Sequence, residues 1–82
     1  MKGQVALVHE QGQRFAVLAV KRHIIGNGPA QADMLQFGLQ EFGVRTALLA
    51  EDGRTHGPND IVRWLEGVDI GQLPWRDFWT DN

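Results

Sequence analysis

Residues 15–20 read FAVLAV, six apolar side chains with no polar interruption. Successive side chains of a β-strand point to opposite faces of the sheet, so a strand of this kind leaves neither face for water. The stretch before it, QVALVHE, is also strand-like, and Gln11-Gly12 lies between the two. Glycine takes the positive φ that a tight hairpin turn requires. A two-residue loop there sets Val8 opposite Phe15, Leu7 opposite Ala16, and His9 opposite Arg14 beside the turn. Helices can cover one face of this sheet. The other face needs more helix, the C-terminal segment or a second copy of the chain.

The rest of the chain supplies two helices and one further strand. Gly26, Asn27 and Gly28 make a corner, and Pro29 suits the first helical turn, where its missing N–H costs nothing. Leu35, Leu39 and Phe42 recur at helical spacing with Met34 and Phe37 beside them, and Gly43 suits a C-terminal cap. Gly38 inside this helix weakens it by about 1 kcal/mol relative to alanine and would allow close approach of another backbone. Residues 44–54, VRTALLAEDGR, read as a third strand ending in an Asp52-Gly53 turn, so the helix forms a βαβ crossover. A second helix starts at Pro58 or Asn59, is favoured at its N-terminus by Asp60, and ends at Gly67. Ile61, Trp64 and Leu65 form its buried face.

The predicted fold is α+β: a single domain over residues 1–82 with a three-stranded mixed sheet in ββαβα order, two helices and an aromatic C-terminal segment. Pro74 restarts a short turn or helix carrying Trp75, Phe78 and Trp79, whose spacing would cluster the rings on one side. Those rings, together with Trp64, are candidates for an interface, since Trp, Phe and Arg are common anchors in protein contacts. Covering the core is their ordinary alternative use.

Composition narrows the chemistry. Cysteine is absent, which removes disulfides and thiolate chemistry and suits a reducing, cytoplasmic setting. The chain has no serine or tyrosine, and its only side-chain hydroxyls are Thr46, Thr55 and Thr80, which argues against an enzyme using a covalent intermediate. Histidines at 9, 23 and 56 match no metal-ligand spacing, so neither a metal nor a cofactor is expected. The net charge is −2. The first half carries four Lys/Arg against three acids and the second half four against seven, with no basic stripe to drive nucleic-acid binding. No run is long and apolar enough to span a membrane.

Two loops remain as ligand candidates. Lys21, Arg22 and His23 precede a glycine-rich strand-to-helix corner of the kind that holds anions, but neither the phosphate-loop nor the dinucleotide pattern is present. EDGRTHGPND is the stronger candidate. It crowds Arg54, His56, Asn59 and Asp60 between a strand end and a helix start, where α/β ligand sites often lie. His56 beside Asp60 or Glu51 would be a base oriented by a carboxylate. The same residue types also serve loops and helix caps.

The segment LLAEDGRTHGPNDIVRWLEGVDIGQLPW resembles the C-terminal part of short bacterial proteins of unassigned activity, in which a strand leads to a Gly-x-x-Asp-Ile-Val helix and then Pro-Trp. Here those positions are Gly57, Asp60, Ile61, Val62, Pro74 and Trp75. The opening, MKGQVALVHEQGQRFAVLAV, is similar to the first hairpin of proteins carried on mobile, integron-type gene cassettes. Together these stretches cover roughly half of the chain. The resemblance implies a bacterial, mobile-element origin and assigns no catalytic residue. Its typical motif has Tyr where this chain has His56. The leading expectation is a non-enzymatic module that homodimerises or docks a partner protein through an apolar sheet face and the Trp-rich tail. A small-ligand or anion-binding protein built on the His56 loop is the alternative.

Overall fold

The computed structural model describes residues 2–10 and 12–80. Its first two strands, β1 (Lys2–Glu10) and β2 (Gln13–Val20), form an antiparallel hairpin. Val8 faces Phe15, Leu7 faces Ala16 and His9 faces Arg14, the register predicted from the sequence. Gly12 adopts φ 77° at the turn, a conformation that glycine reaches without steric cost. Gln11, the other expected turn residue, lies outside the described residues.

From β2 the chain passes through a 3-10 turn (Arg22–Ile24) and α1 (Gly28–Phe42) into β3 (Arg45–Ala50), which runs parallel to β2. Asn27 caps α1: its side-chain oxygen accepts from the Ala30 N–H at 3.2 Å. Proline in the first turn and Gly43 at φ 71° mark the two ends.

The sheet is mixed, as expected, and two helices pack on it, but it has five strands rather than three. Its order is β4-β3-β2-β1-β5, where β4 is Thr55–His56 and β5 is Trp75–Trp79. A two-residue strand leaves no periodic trace in a sequence, which is why β4 is hidden among loop residues. β5 replaces the predicted C-terminal turn or helix. The outer edge of β1 carries unsatisfied backbone donors and acceptors, and pairing them with residues 75–79 outweighs the weak local preference of one helical turn.

Residues 15–18 of the central strand are sheltered on both sides within one chain. On one face, Ala6, Val8, Phe15, Val17, Ala47 and Leu49 pack under Ile61 and Leu65 of α2 (Asn59–Glu66). The Phe15 and Trp64 rings meet edge to face, with centroids 5.1 Å apart. A second 3-10 turn, Ile70–Gln72, and Trp75 extend this cover. On the other face, Val5, Ala16, Leu18 and Leu48 pack under Met34, Leu35, Phe37 and Phe42 of α1, with Phe78 beside them. Leu18, Leu48, Ile61, Val5 and Val17 are the largest fully buried side chains, each contributing about 1.5–3 kcal/mol of transfer free energy. The cover predicted for the second face is therefore more helix, α2, aided by Trp75 from the tail.

One residue of the expected α1 stripe is displaced. Leu39 is 48% exposed, because Gly38 is the position that α1 presses against β3. The next residue is turned about 100° away from that contact.

Candidate functional site

The four loop residues singled out in the sequence do not converge. β4 pairs His56 with Leu48 and Thr55 with Leu49. Directly paired residues share a face, so His56 lies on the α1 side with Leu48. Asp60, in the first turn of α2, is bound elsewhere. Its carboxylate takes two hydrogen bonds from the Arg45 guanidinium, at 3.2 and 2.9 Å. Arg45 also donates to Gln13 Oε1 at 2.8 Å. These bonds tie the start of α2 to the starts of β2 and β3. The Arg45 hydrogen bond is the chief reason the Asp60 carboxyl is held below its ordinary value, and the same bond raises the Arg45 guanidinium.

Arg54 serves the opposite end of the sheet. It donates to Asp52 Oδ2 at 2.9 Å and to the backbone oxygen of Arg22 at 2.9 Å. This clamps the loop after β3 to the loop after β2. The Asp52 carboxyl is lowered first by the Arg54 backbone N–H and then by the guanidinium. Asn59 is exposed at the start of α2, and among the described residues its side chain caps nothing. His56 is half-buried and has no side-chain hydrogen bond among the described residues.

At the Gly26–Gly28 corner the chain's own side chains satisfy two backbone amides, those of Ala30 and Gly26. Besides the Asn27 cap, Gln31 Oε1 accepts from the Gly26 N–H at 2.6 Å. No group of three or more His, Asp or Glu residues able to hold a metal occurs among the described residues. No helix among them is long and apolar enough to cross a membrane.

The aromatic candidates divide by the pleat of β5. Trp75 is half-buried, packs on the α2-side core, and donates its indole N–H to the Ile70 carbonyl at 2.8 Å. Phe78 turns to the opposite face and joins Phe37 and Phe42, with ring centroids at 5.7 and 5.5 Å. Gly3 lies opposite Phe78 in the register, and a Cβ there would fall 2.7 Å from the ring. Trp64 is half-buried over Phe15. Trp79 differs from all three: it is 71% exposed, with the Lys2 ammonium 5.2 Å from its ring centroid. Trp64, Trp75 and Phe78 thus pack on the fold, and Trp79 faces solvent at the end of an edge strand.

A feature with no sequence signature lies where β2 and β3 run out. Ala19, on the central strand, is exposed. Around it opens a cleft of about 860 Å³, walled by Leu49, Ile70 and Trp75 on one side and Met34 and Phe78 on the other. Lys2, Lys21 and Glu51 also line it. Compared with protein-family models, curated proteins and solved structures, the chain has no match.

Proposed function

We propose that the chain is a non-enzymatic interaction module that contacts a second copy of itself through the outer edge of β5 and Trp79. The observation carrying this reading is the exposure of Trp79 on an edge strand. α1 and α2 cover most of both sheet faces, and the edges are open to docking. β4, at the other edge, spans two residues and β5 spans five. Strand addition along such an edge draws affinity from backbone hydrogen bonds and specificity from alternate side chains. An exposed indole beside it offers an anchor of large apolar area. A small domain also gains stability by association. A bacterial, cassette-borne origin belongs to the same proposal and rests on the sequence motifs, and a cytoplasmic setting is supported by the absence of cysteine.

Sedimentation over a wide concentration range tests this. The expected result is a concentration-dependent dimer that Trp79→Glu dissociates while the circular dichroism spectrum is retained. A strict monomer at every concentration refutes self-pairing. A dimer indifferent to Trp79→Glu moves the contact away from β5.

A further inference from the structure

The cleft at the end of the sheet points to a second function, independent of the edge of β5. We infer that it binds a small amphipathic monoanion: an apolar body seated on Ala19, with a carboxylate, sulfonate or comparable group held between Lys2 and Lys21.

The first argument is position. β2 and β3 are a parallel pair joined by a helical crossover, and ligands of α/β sheets bind beyond the carboxyl ends of such strands. The cleft begins there, with Ala19, Lys21 and Glu51 at or just past the two strand ends.

The second argument is the lining. An exposed alanine on a central strand is unusual in a chain that covers the preceding residues of the same strand completely. Ala16, Val17 and Leu18 are each 0% exposed. The alanine makes a shallow floor, and Leu49, Ile70 and Trp75 stand around it. The cleft's volume of about 860 Å³ is shared between the two faces of the sheet, Leu49, Ile70 and Trp75 lying on one and Met34 and Phe78 on the other, so the ligand is a small one.

The third argument is charge. Lys2 and Lys21 both line the cleft. Neither lysine has a carboxylate partner among the described residues. Lys2 is held over Trp79, which positions its ammonium without neutralising it. Two ammonium groups on the lining of one cleft make it favourable to an anion. Glu51 on the same lining leaves a net charge of +1, which one negative charge cancels. A dianion would be repelled by Glu51, and a neutral ligand would leave the lysines unpaired.

Two fluorescent probes with one ring system separate these contributions on the intact chain: 8-anilinonaphthalene-1-sulfonate, an anion, and the uncharged N-phenyl-1-naphthylamine. The sulfonate is expected to saturate at one per chain and to bind about tenfold more tightly than the neutral probe. Lys21→Gln should weaken the sulfonate about threefold, in keeping with an exposed ion pair, and leave the neutral probe unchanged. Ala19→Phe, which fills the floor, should weaken both probes about tenfold or more. Arg63→Gln, removing an exposed cation on α2, should change neither. If Ala19→Phe fails to fold by circular dichroism, Gly71→Phe, on the 3-10 turn at the rim, must give the same loss. Equal affinity for the two probes overturns the inference. So does non-saturating binding, or sulfonate binding indifferent to Lys21→Gln or to the floor substitution. Read on chain dilute enough to be monomeric, these outcomes do not depend on the β5-mediated dimer.

Discussion

Thr46 occupies the space that a side chain on Gly38 would need. A Cβ built on Gly38 would lie 2.6 Å from Thr46 Cγ2, and Thr46 is itself buried, its hydroxyl donating to the Val44 carbonyl at 3.2 Å. Glycine inside a helix ordinarily costs about 1 kcal/mol relative to alanine. Here that cost accompanies close packing of α1 on β3. Gly38→Ala should therefore destabilise the fold by about 1–3 kcal/mol, as overpacking does, instead of stabilising it. Urea unfolding measures this, and Thr46→Ala in the same chain should recover only part of the loss, because the Thr46 Cβ that alanine keeps would itself lie 2.7 Å from the added Cβ.

Gly57 gives a sharper case, because its obstacle is backbone. It adopts φ 151°, and a Cβ there would lie 2.9 Å from the Ala47 Cα. Main chain in the middle of a sheet cannot move aside as a side-chain tip can. Gly57→Ala should cost about 2 kcal/mol or more from strain and clash together. A thermal melt showing no loss would mean that β4 lies farther from β3 than the structure places it.

The two exposed ion pairs should respond differently to mutation. Asp60 is depressed chiefly by the Arg45 side chain, whereas Asp52 is depressed chiefly by the backbone N–H of Arg54. Arg45→Gln should return Asp60 towards its ordinary value of 3.8. Arg54→Gln should leave Asp52 largely depressed, since glutamine retains the N–H. Both carboxyls have folded values below their unfolded ones. The stability they contribute is thus fully present above about pH 4 and fades as pH falls through the folded value. Carbon-detected NMR titration of the carboxyl groups reads both shifts directly.

Within β5 the three aromatic residues should separate in the same manner. Trp75→Phe removes the hydrogen bond to Ile70 and should cost about 1 kcal/mol. Phe78→Ala opens the Phe37–Phe42 cluster and should cost about 2–4 kcal/mol. Trp79→Ala should change monomer stability by no more than about 0.5 kcal/mol. Denaturant midpoints for the three variants, measured at a concentration below any dimerisation, establish the order.

The hairpin register, the crossover and both helix boundaries were legible in the sequence because each rests on local chemistry. Gly12, Pro29, Gly43 and Gly67 punctuate the chain, and the uninterrupted FAVLAV stretch demands a cover on each side. What escaped was set by distant partners. β5 is a strand because β1 has an open edge about 73 positions earlier, and i, i+3, i+4 spacing of aromatics carries no information about that edge. The candidate site fared similarly. Asp60 looked available to His56 because they are close in sequence, but Arg45 reaches it from the start of β3. The cleft around Ala19 is lined by residues from Lys2 to Phe78, an assembly that no local motif encodes.

Pairing of the first strand with the last also creates a weak point. β5 is held to β1 along five residue pairs, Lys2–Trp79 to Ala6–Trp75, and the loop that its attachment closes is nearly the whole chain, an entropic cost that grows with length. Partial denaturation should lift this strand before it breaks the hairpin. The edge of β1 then stands bare, with a register that the same segment of another molecule fits equally well. Concentrated, mildly destabilised protein should consequently trade these end segments reciprocally, yielding interlocked pairs that come apart only through unfolding.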